Sequence, residues 1–213
     1  LPPMDNGQGL HTNAIYGFLT MLFKMIKNYE PSHISVAFDM KAPTFRHKSY
    51  TEYKAGRKKM PGELAMQLQP LKDVLDKMNI DRQEIEGYEA DDILGTLSLD
   101  AEKDGYEVYI VTGDRDAIQL ASEKTRVLIT KKGVGEVEEY DAKAVMERYS
   151  LTPDQFIDLK GLMGDKSDNI PGIPGIGEKT GIKLLLEYKT VQGVLDNVDK
   201  LKGAQKKKVE ENM

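Results

Sequence analysis

The sequence predicts an α/β fold in which a mostly parallel sheet is flanked by helices and is followed by a smaller helical region. Two observations predict it. Apolar, β-rich runs alternate with amphipathic helical patterns through the first 150 residues, as in βαβ units. After residue 150 no strand pattern is evident, and short helical pieces surround a Gly/Pro-rich segment at 169–181. We therefore expect two domains, residues 1–150 and residues 151–213.

Each element of the first region is predicted from periodicity and turn signals. Apolar residues at helical spacing predict a helix over 13–29, ended by Pro31, and another from Pro61 to about residue 78. A third helix follows the acidic stretch at 89–92, because apolar residues at 90, 93, 94 and 97 share one face. Short β-rich runs predict strands at 33–38, 107–112 and 126–130. We expect the polar stretch 41–59 to face solvent.

Composition excludes several classes of protein. The 213 residues include no cysteine, so disulfides and thiolate metal sites are excluded and a reducing cytoplasmic setting is expected. No apolar run approaches the ~20 residues of a membrane span, so we expect no membrane association. The net charge is −5, yet 41–59 holds seven basic residues and one acid. A basic face for nucleic acid is therefore compatible with the acidic total.

Four acidic clusters lie at predicted strand ends, at a helix start and in a Gly-flanked loop. Ligands of open α/β sheets bind beyond the carboxyl ends of the strands, so we expect the clusters to meet there. Two unit charges 4 Å apart repel by ~4 kcal/mol at an effective dielectric of 20, so either several acids are protonated or divalent cations bind. Oxygen ligands without His or Cys favour Mg²⁺ or Mn²⁺, and two ions would suit phosphodiester hydrolysis. An EF-hand is excluded, because its ligand spacing is absent. The clusters comprise Asp39, Glu89, Asp91, Asp92, Asp114, Asp116, Asp165 and Asp168.

The glycine-rich segment GIPGIGEKT, 172–180, nearly matches a nucleotide-binding P-loop. Glu178 separates the second glycine of that template from the lysine, and no strand precedes it, so nucleotide hydrolysis is not predicted. The segment fits a tight hairpin between two helices instead. Its exposed backbone N–H groups and the following helix start favour sequence-independent phosphate binding, and a plain helix–helix turn is the alternative. The expected contacts come from Gly175, Gly177, Lys179 and Thr180.

The basic stretch mixes cations with aromatic residues directly after Asp39. Cations can hold phosphates, and aromatic faces can stack on unpaired bases at ~1–3 kcal/mol each. We expect this stretch to draw a nucleic-acid strand to the acids, although a solvated loop is the alternative. The expected contacts include Arg46, Tyr53, Lys54, Arg57 and Lys58.

Five motifs occur in one order along the chain: VAFD (36–39), TFRHKSYTEYKAGR (44–57), EGYEADDILGTL (86–97), VTGDRDAIQL (111–120) and GLMGDKSDNIPGIPGIGEKTGIKLL (161–185). Together they resemble the 5′-nuclease domain of bacterial DNA polymerase I, which is related to flap endonucleases and PIN-like nucleases. The resemblance implies a PIN-like sheet, a C-terminal helix–three-turn–helix region, and metal-dependent 5′→3′ exonuclease and flap endonuclease activity in primer removal and repair.

The resemblance also implies roles and partners. The eight acids match metal ligands for two ions, and Tyr53, Lys54 and Arg57 match an arch whose Lys and Arg act catalytically on the scissile phosphate. Residues 172–185 match a duplex-binding hairpin that often holds K⁺. The implied partners are DNA with 5′ ends, flaps or RNA primers and a polymerase domain in the same full-length chain, which is expected to be a monomer.

Two departures from the family pattern leave other functions open. The family opens with a strand whose Asp is a metal ligand, and this chain starts after that point; it also stops early. We therefore keep a catalytically impaired module that binds branched DNA as an alternative. A PIN-type ribonuclease is a further alternative, which matched DNA and RNA flaps would distinguish.

Overall fold

The computed structural model describes residues 2–131 and 136–212. Within these ranges helices dominate both halves of the chain, and the strands are short. The helices are α1 (Asn13–Tyr29), α2 (Phe45–Ser49), α3 (Gly62–Lys77), α4 (Ala90–Lys103), α5 (Ala142–Tyr149), α6 (Pro153–Met163), α7 (Glu178–Tyr188), α8 (Val191–Asp196) and α9 (Gly203–Glu210). The strands are β1 (Ser35–Ala37), β2 (Asp81–Gln83), β3 (Val108–Thr112), β4 (Thr125–Thr130), β5 (Val137–Tyr140), β6 (Gly164–Asp165) and β7 (Ile170–Pro171).

The sheets are small, and their parallel pairings are divided between two of them. In one, β1 pairs with β2 in parallel. In the other, β3 pairs with β4 in parallel and β4 pairs with β5 in antiparallel orientation. Strands β6 and β7 form a separate two-residue ladder. The predicted α/β class with helices flanking parallel strands and a helical C-terminal region is confirmed.

The predicted helix over 13–29 matches α1, and the prediction for 61–78 comes within a residue of α3. Helix α1 ends because Glu30 adopts a left-handed conformation (φ 44°) and donates its backbone N–H to Ile26, directly before Pro31. Most of the polar stretch 41–59 is exposed, as predicted, but Thr44 and Tyr53 are buried. The stretch contains α2, and Tyr53 is only 5% exposed, because its hydroxyl is bonded to two acids inside the site described below.

One hydrophobic core runs from β3 to α9, so it crosses residue 150. The boundary between residues 1–150 and 151–213 remains a prediction. Asp39 lies two residues after β1, and Asp114 lies two residues after β3, so both carboxylates are at the carboxyl ends of parallel strands. In the described part of the chain, no helix combines the length and apolarity needed to cross a bilayer.

Candidate metal centre

The start of α4 brings the first two acidic clusters together. Asp39 Oδ1 accepts the backbone N–H of Ala90 at 2.7 Å, and Asp92 Oδ2 accepts the backbone N–H of Glu89 at 2.9 Å. A helix N-terminus leaves such donors unpaired and carries partial positive charge, so it stabilises nearby carboxylates. The local sequence thus explains why acids gather at this turn.

Two cations from the basic stretch pair with Glu89 and Asp92. Arg46 donates two hydrogen bonds to the two oxygens of Asp92, each 2.7 Å long, and its Nη1 lies 3.7 Å from Glu89. Lys54 Nζ lies 2.7 Å from the other Glu89 oxygen. The Arg46 hydrogen bonds hold the pKa of Asp92 below its usual value, although partial burial opposes this. Such bidentate pairs fix geometry as well as charge.

Tyr53 joins the α4 acids to the last acidic cluster, 115 residues away from it in sequence. Its hydroxyl lies 2.9 Å from Glu89 Oε2 and 2.9 Å from Asp168 Oδ2, and its single proton serves one of them at a time. Burial first, and then these acids, raise the pKa of Tyr53. Arg57 completes the link with Nη2 at 2.6 Å from Asp168 Oδ1.

Backbone contacts fix the same link. The Lys54 N–H donates to the Asp168 carbonyl at 2.8 Å, and Asn169 Nδ2 donates to the Glu52 carbonyl at 2.8 Å. Lys54 itself has φ 56°, a left-handed conformation that is uncommon for lysine. Residues 52–57 are therefore held to the 165–169 loop by their main chain as well as by their charges.

Lys160, on α6, connects the cluster that follows β3 to the last acidic cluster. Its Nζ lies 2.9 Å from Asp116 Oδ1 and 2.6 Å from Asp165 Oδ2. Burial alone would raise the pKa of Asp165, but Lys160 and Ser167 hold it well below its usual range. Sequence reasoning missed Lys160. The available signal was a single cation inside the apolar run FIDLKGLM, which ends two residues before Asp165.

Asp91 forms no ion pair with a cation of the described residues, as is also true of Asp39 and Asp114. Although Asp91 remains solvent-accessible, desolvation by the surrounding protein raises its pKa to about 6, and the charges of Asp114, Asp39 and Glu89 add to this. Asp114 Oδ1 accepts the backbone N–H of Asp116 at 2.8 Å. Asp91 and Asp114 therefore place the α4 acids next to the cluster that follows β3.

The eight predicted acids thus form one connected site, in which Glu89, Asp92, Asp116, Asp165 and Asp168 are paired with protein cations. Within residues 2–131 and 136–212, no three His, Cys, Asp or Glu side chains form a ready-made cage for a metal ion. The donor set nevertheless fits hard divalent cations, because it offers carboxylate oxygens alone. Metal ions would bind these oxygens in place of the four cations that now contact them. Those cations are Arg46, Lys54, Arg57 and Lys160.

The remaining predicted residues take no part in these ion pairs. Lys58 is exposed. Gly175 occupies the third position of a turn in which the Ile176 N–H donates to the Ile173 carbonyl, and its φ of 81° requires glycine. Gly177 immediately precedes α7 and caps it without a side chain. Lys179 is exposed and Thr180 is half-buried in the first turn of α7.

Two family descriptions match the chain. Residues 1–150 match the 5′-3′ exonuclease, N-terminal resolvase-like domain, and residues 151–213 match the 5′-3′ exonuclease, C-terminal SAM fold. The chain is 52% identical over 212 residues to DNA polymerase I of Bacillus subtilis, an alignment that covers 99% of the chain. The chain spans 24% of the length of that relative.

Solved structures of a bacteriophage nuclease are also similar. A T5 5′-exonuclease with bound divalent metal ions (zinc) has a TM-score of 0.77 at 26% identity, covering 96% of this chain and 76% of that one. A T5 flap endonuclease variant in complex with DNA and metal ions has a TM-score of 0.77 at 26% identity, covering 94% and 77%. The resemblance and the nuclease class predicted from the motifs are confirmed. The chain belongs to the 5′-3′ exonuclease family, as a nuclease domain of the DNA polymerase I type.

Proposed function

We propose that the chain hydrolyses phosphodiester bonds near DNA 5′ ends and at flap junctions, with two divalent cations bound among its eight acids. One observation carries the proposal: carboxylates from four distant stretches of sequence form one site in which basic side chains alternate with them. The family membership supports the reaction class, and the T5 structures with metal ions and DNA support the ligands.

The eight acids would hold Mg²⁺ or Mn²⁺. Bound ions of this kind supply Lewis-acid activation of water and neutralise charge that develops on the phosphate. Asp91 is suited to a first ligand, because it has no competing protein cation and three carboxylates surround it. Asp165 and Asp116 suit a second position, where Lys160 now bridges them.

Lys54 and Arg57 are the proposed catalytic cations. Both contact site acids through bonds that a phosphate oxygen could replace, since carboxylate and phosphate accept the same donors. On substrate entry they would orient the scissile phosphate and stabilise its negative charge. The DNA next to the scissile phosphate would be contacted by Arg46, Tyr53 and Lys58. The Tyr53 ring lies 5.0 Å from the Lys54 ammonium, so these two groups are already close together.

The hairpin would grip the duplex without reading its bases. Gly175, Gly177, Lys179 and Thr180 present backbone N–H groups and a lysine at the start of α7, a suitable arrangement for phosphates of the backbone. A K⁺ ion at this turn is part of the proposal.

The wider role of the chain is inferred from its relatives. We propose that the domain acts in the bacterial cytoplasm, as a monomer, on 5′ ends, flaps and RNA primers during replication and repair. Because the chain spans 24% of its B. subtilis relative, a polymerase domain in the same full-length protein is also part of this proposal.

The direct test uses a 5′-labelled DNA flap with Mg²⁺, and EDTA as control. We expect cleavage in Mg²⁺, none in EDTA, and none with Asp114→Asn. Asp154→Asn is the matched control, because Asp154 is an exposed acid on α6 outside the site. Cleavage that survives EDTA or Asp114→Asn would refute the proposal. Binding without turnover would support the binding-module alternative, and cleavage of the RNA flap alone would support a ribonuclease.

A further inference from the structure

Three consecutive lysines on α9 differ in what their side chains contact. Lys206 Nζ lies 2.8 Å from Asp199 and 3.6 Å from Glu210. Lys207 Nζ lies 3.7 Å from Glu211. Among residues 2–131 and 136–212, Lys208 makes no ion pair of this kind. Two of the three charges are therefore balanced nearby, and the charge of Lys208 is available to another anion.

The end of the Lys208 side chain lies against Gly175 in the glycine hairpin, residues 172–181. A β-carbon placed on Gly175 would come within 2.1 Å of Lys208 Nζ and 3.3 Å of its Cε. The ammonium therefore occupies the space where any other residue at position 175 would place its side chain. The turn geometry favours glycine, since Gly175 has a φ of 81°, and a side chain at this position would also displace the Lys208 ammonium.

Buried neighbours hold the two sides of this contact in place. Ile176, next to Gly175, is 4% exposed, and Val209, next to Lys208, is fully buried. Both belong to the same hydrophobic core. Packed cores have little freedom to rearrange, so α9 and the hairpin are fixed, and the Lys208 side chain extends to Gly175 from a fixed backbone.

The hairpin itself supplies no net positive charge. Segment 172–181 contains one acid, Glu178, and one base, Lys179, and both are exposed. A phosphodiester that approaches the backbone N–H groups of this segment would therefore gain little from its side-chain charges. Lys208 adds a positive charge beside Gly175, which favours an anion at this turn.

We propose that Lys208 is a further DNA-binding residue, whose ammonium contacts the phosphodiester backbone of duplex DNA at the Gly175 hairpin. The inference rests on the proposed function, because it adds a residue to the duplex grip named there. Lys208 makes no contact with the eight acids in the described structure, so it contributes to binding of the duplex and not to bond cleavage.

The test measures binding of a fluorescent blunt duplex by the full chain in EDTA, across a series of KCl concentrations. Lys208→Met keeps the aliphatic stem and removes the charge. It is expected to weaken binding by about 3- to 10-fold at low salt and to reduce the slope of log K against log[KCl] by about one. Lys208→Arg is expected to keep the wild-type slope. A purely structural role would lose affinity in both variants.

Lys207→Met is the matched control, because it removes an adjacent exposed lysine that is paired with Glu211. Lys207→Met is expected to change the slope of log K against log[KCl] by less than half as much as Lys208→Met does. A wild-type slope for Lys208→Met, or an equal loss in Lys207→Met, would overturn the inference. If the wild-type chain bound no duplex at all, the duplex grip of the proposed function would itself be refuted. If the wild type bound duplex and Lys208→Met bound it equally well, only the role of Lys208 would be refuted, so the two failures are distinguishable.

Discussion

The acid site and the glycine hairpin are held together in different ways. In the acid site, most contacts between distant residues are made by charged side chains, such as Arg46 with Asp92 and Lys160 with Asp116. In the hairpin, a backbone turn sets the shape and the buried Ile176 fixes it to the core.

The difference shows which region can change its partners. Ion pairs at half-exposed side chains can be exchanged for metal ions or phosphate with little movement of the chain, because only side-chain contacts change. A backbone turn next to a packed core has no such alternative arrangement. Substitutions should therefore alter chemistry and charge balance at the acid site, and shape and duplex affinity at the hairpin.

The largest expected effect comes from Asp91→Asn. Cleavage of the DNA flap should fall by roughly 10²- to 10³-fold, the scale for removing one preorganised charge from an active site. The melting temperature in EDTA should stay the same or rise, because Asp91 has no cation beside it and is repelled by neighbouring carboxylates. Near wild-type cleavage would contradict the ligand role, and a clearly lower melting temperature would contradict the charge argument.

The stability difference between Asp91→Asn and the wild type should depend on pH. Because the folded-state pKa of Asp91 is raised to about 6, the folded chain keeps a proton there that the unfolded chain has lost. Stability from this group therefore falls as pH rises through the window from about 4 to 6. Urea unfolding in EDTA should show Asp91→Asn gaining on the wild type across that window. A constant difference between pH 4 and pH 7 would refute the prediction.

Lys160→Met is expected to have the next largest effect. It leaves Asp116 and Asp165 without their shared cation, so the free energy of unfolding in EDTA should fall by about 2 kcal/mol. Added Mg²⁺ should restore more stability to this variant than it gives the wild type. Lys143→Met is the control: its ion pair with Glu147 is 3.7 Å long and highly exposed, and its loss should change stability by less than about 0.5 kcal/mol. Equal Mg²⁺ responses in wild type and Lys160→Met would refute the cation-exchange argument.

Gly175→Ala tests the hairpin. The left-handed backbone and the displaced Lys208 ammonium should together lower the free energy of unfolding by about 1 kcal/mol and weaken duplex binding. Gly177→Ala is the control, because its φ is −103° and nothing lies within 4 Å of an added β-carbon. Urea unfolding and duplex titration check both variants. Equal effects of the two substitutions would contradict the shape argument.

The smallest expected effect on stability comes from Lys58→Met. Lys58 is exposed, so the free energy of unfolding should change by less than about 0.5 kcal/mol. Flap binding in EDTA should still lose about one unit of salt slope if Lys58 contacts a phosphate. A slope unchanged from wild type would remove Lys58 from the DNA interface.

The sequence predicted the elements with strong local signals. Helix α1 was predicted with its observed bounds because it combines apolar periodicity with a following proline, and β3 was predicted within a residue because VYIVT is apolar and β-branched. Strand β2 was missed, because its three residues DRQ are polar and too few to show a period. The apolar periodicity of α1 predicts burial of Phe23, yet Phe23 is 53% exposed.

The acids of the site were easier to predict than their partners. Clusters at strand ends and at a helix start follow from one general rule of α/β sheets. The bridging role of Lys160 depends on the packing of α6 beside the 3₁₀ helix Arg115–Leu120, which no local pattern encodes. The burial of Tyr53 likewise depends on two acids that are distant in sequence.

The alternation of acids and bases in the site has a consequence for stoichiometry. Eight carboxylates face four cationic side chains, which leaves four negative charges at neutral pH. If the four cations shift their contacts but stay within the pocket, two divalent ions would make it electroneutral, whereas one ion would leave it anionic and repel an incoming phosphate. Electroneutrality therefore favours filling of both positions before a nucleic-acid strand enters.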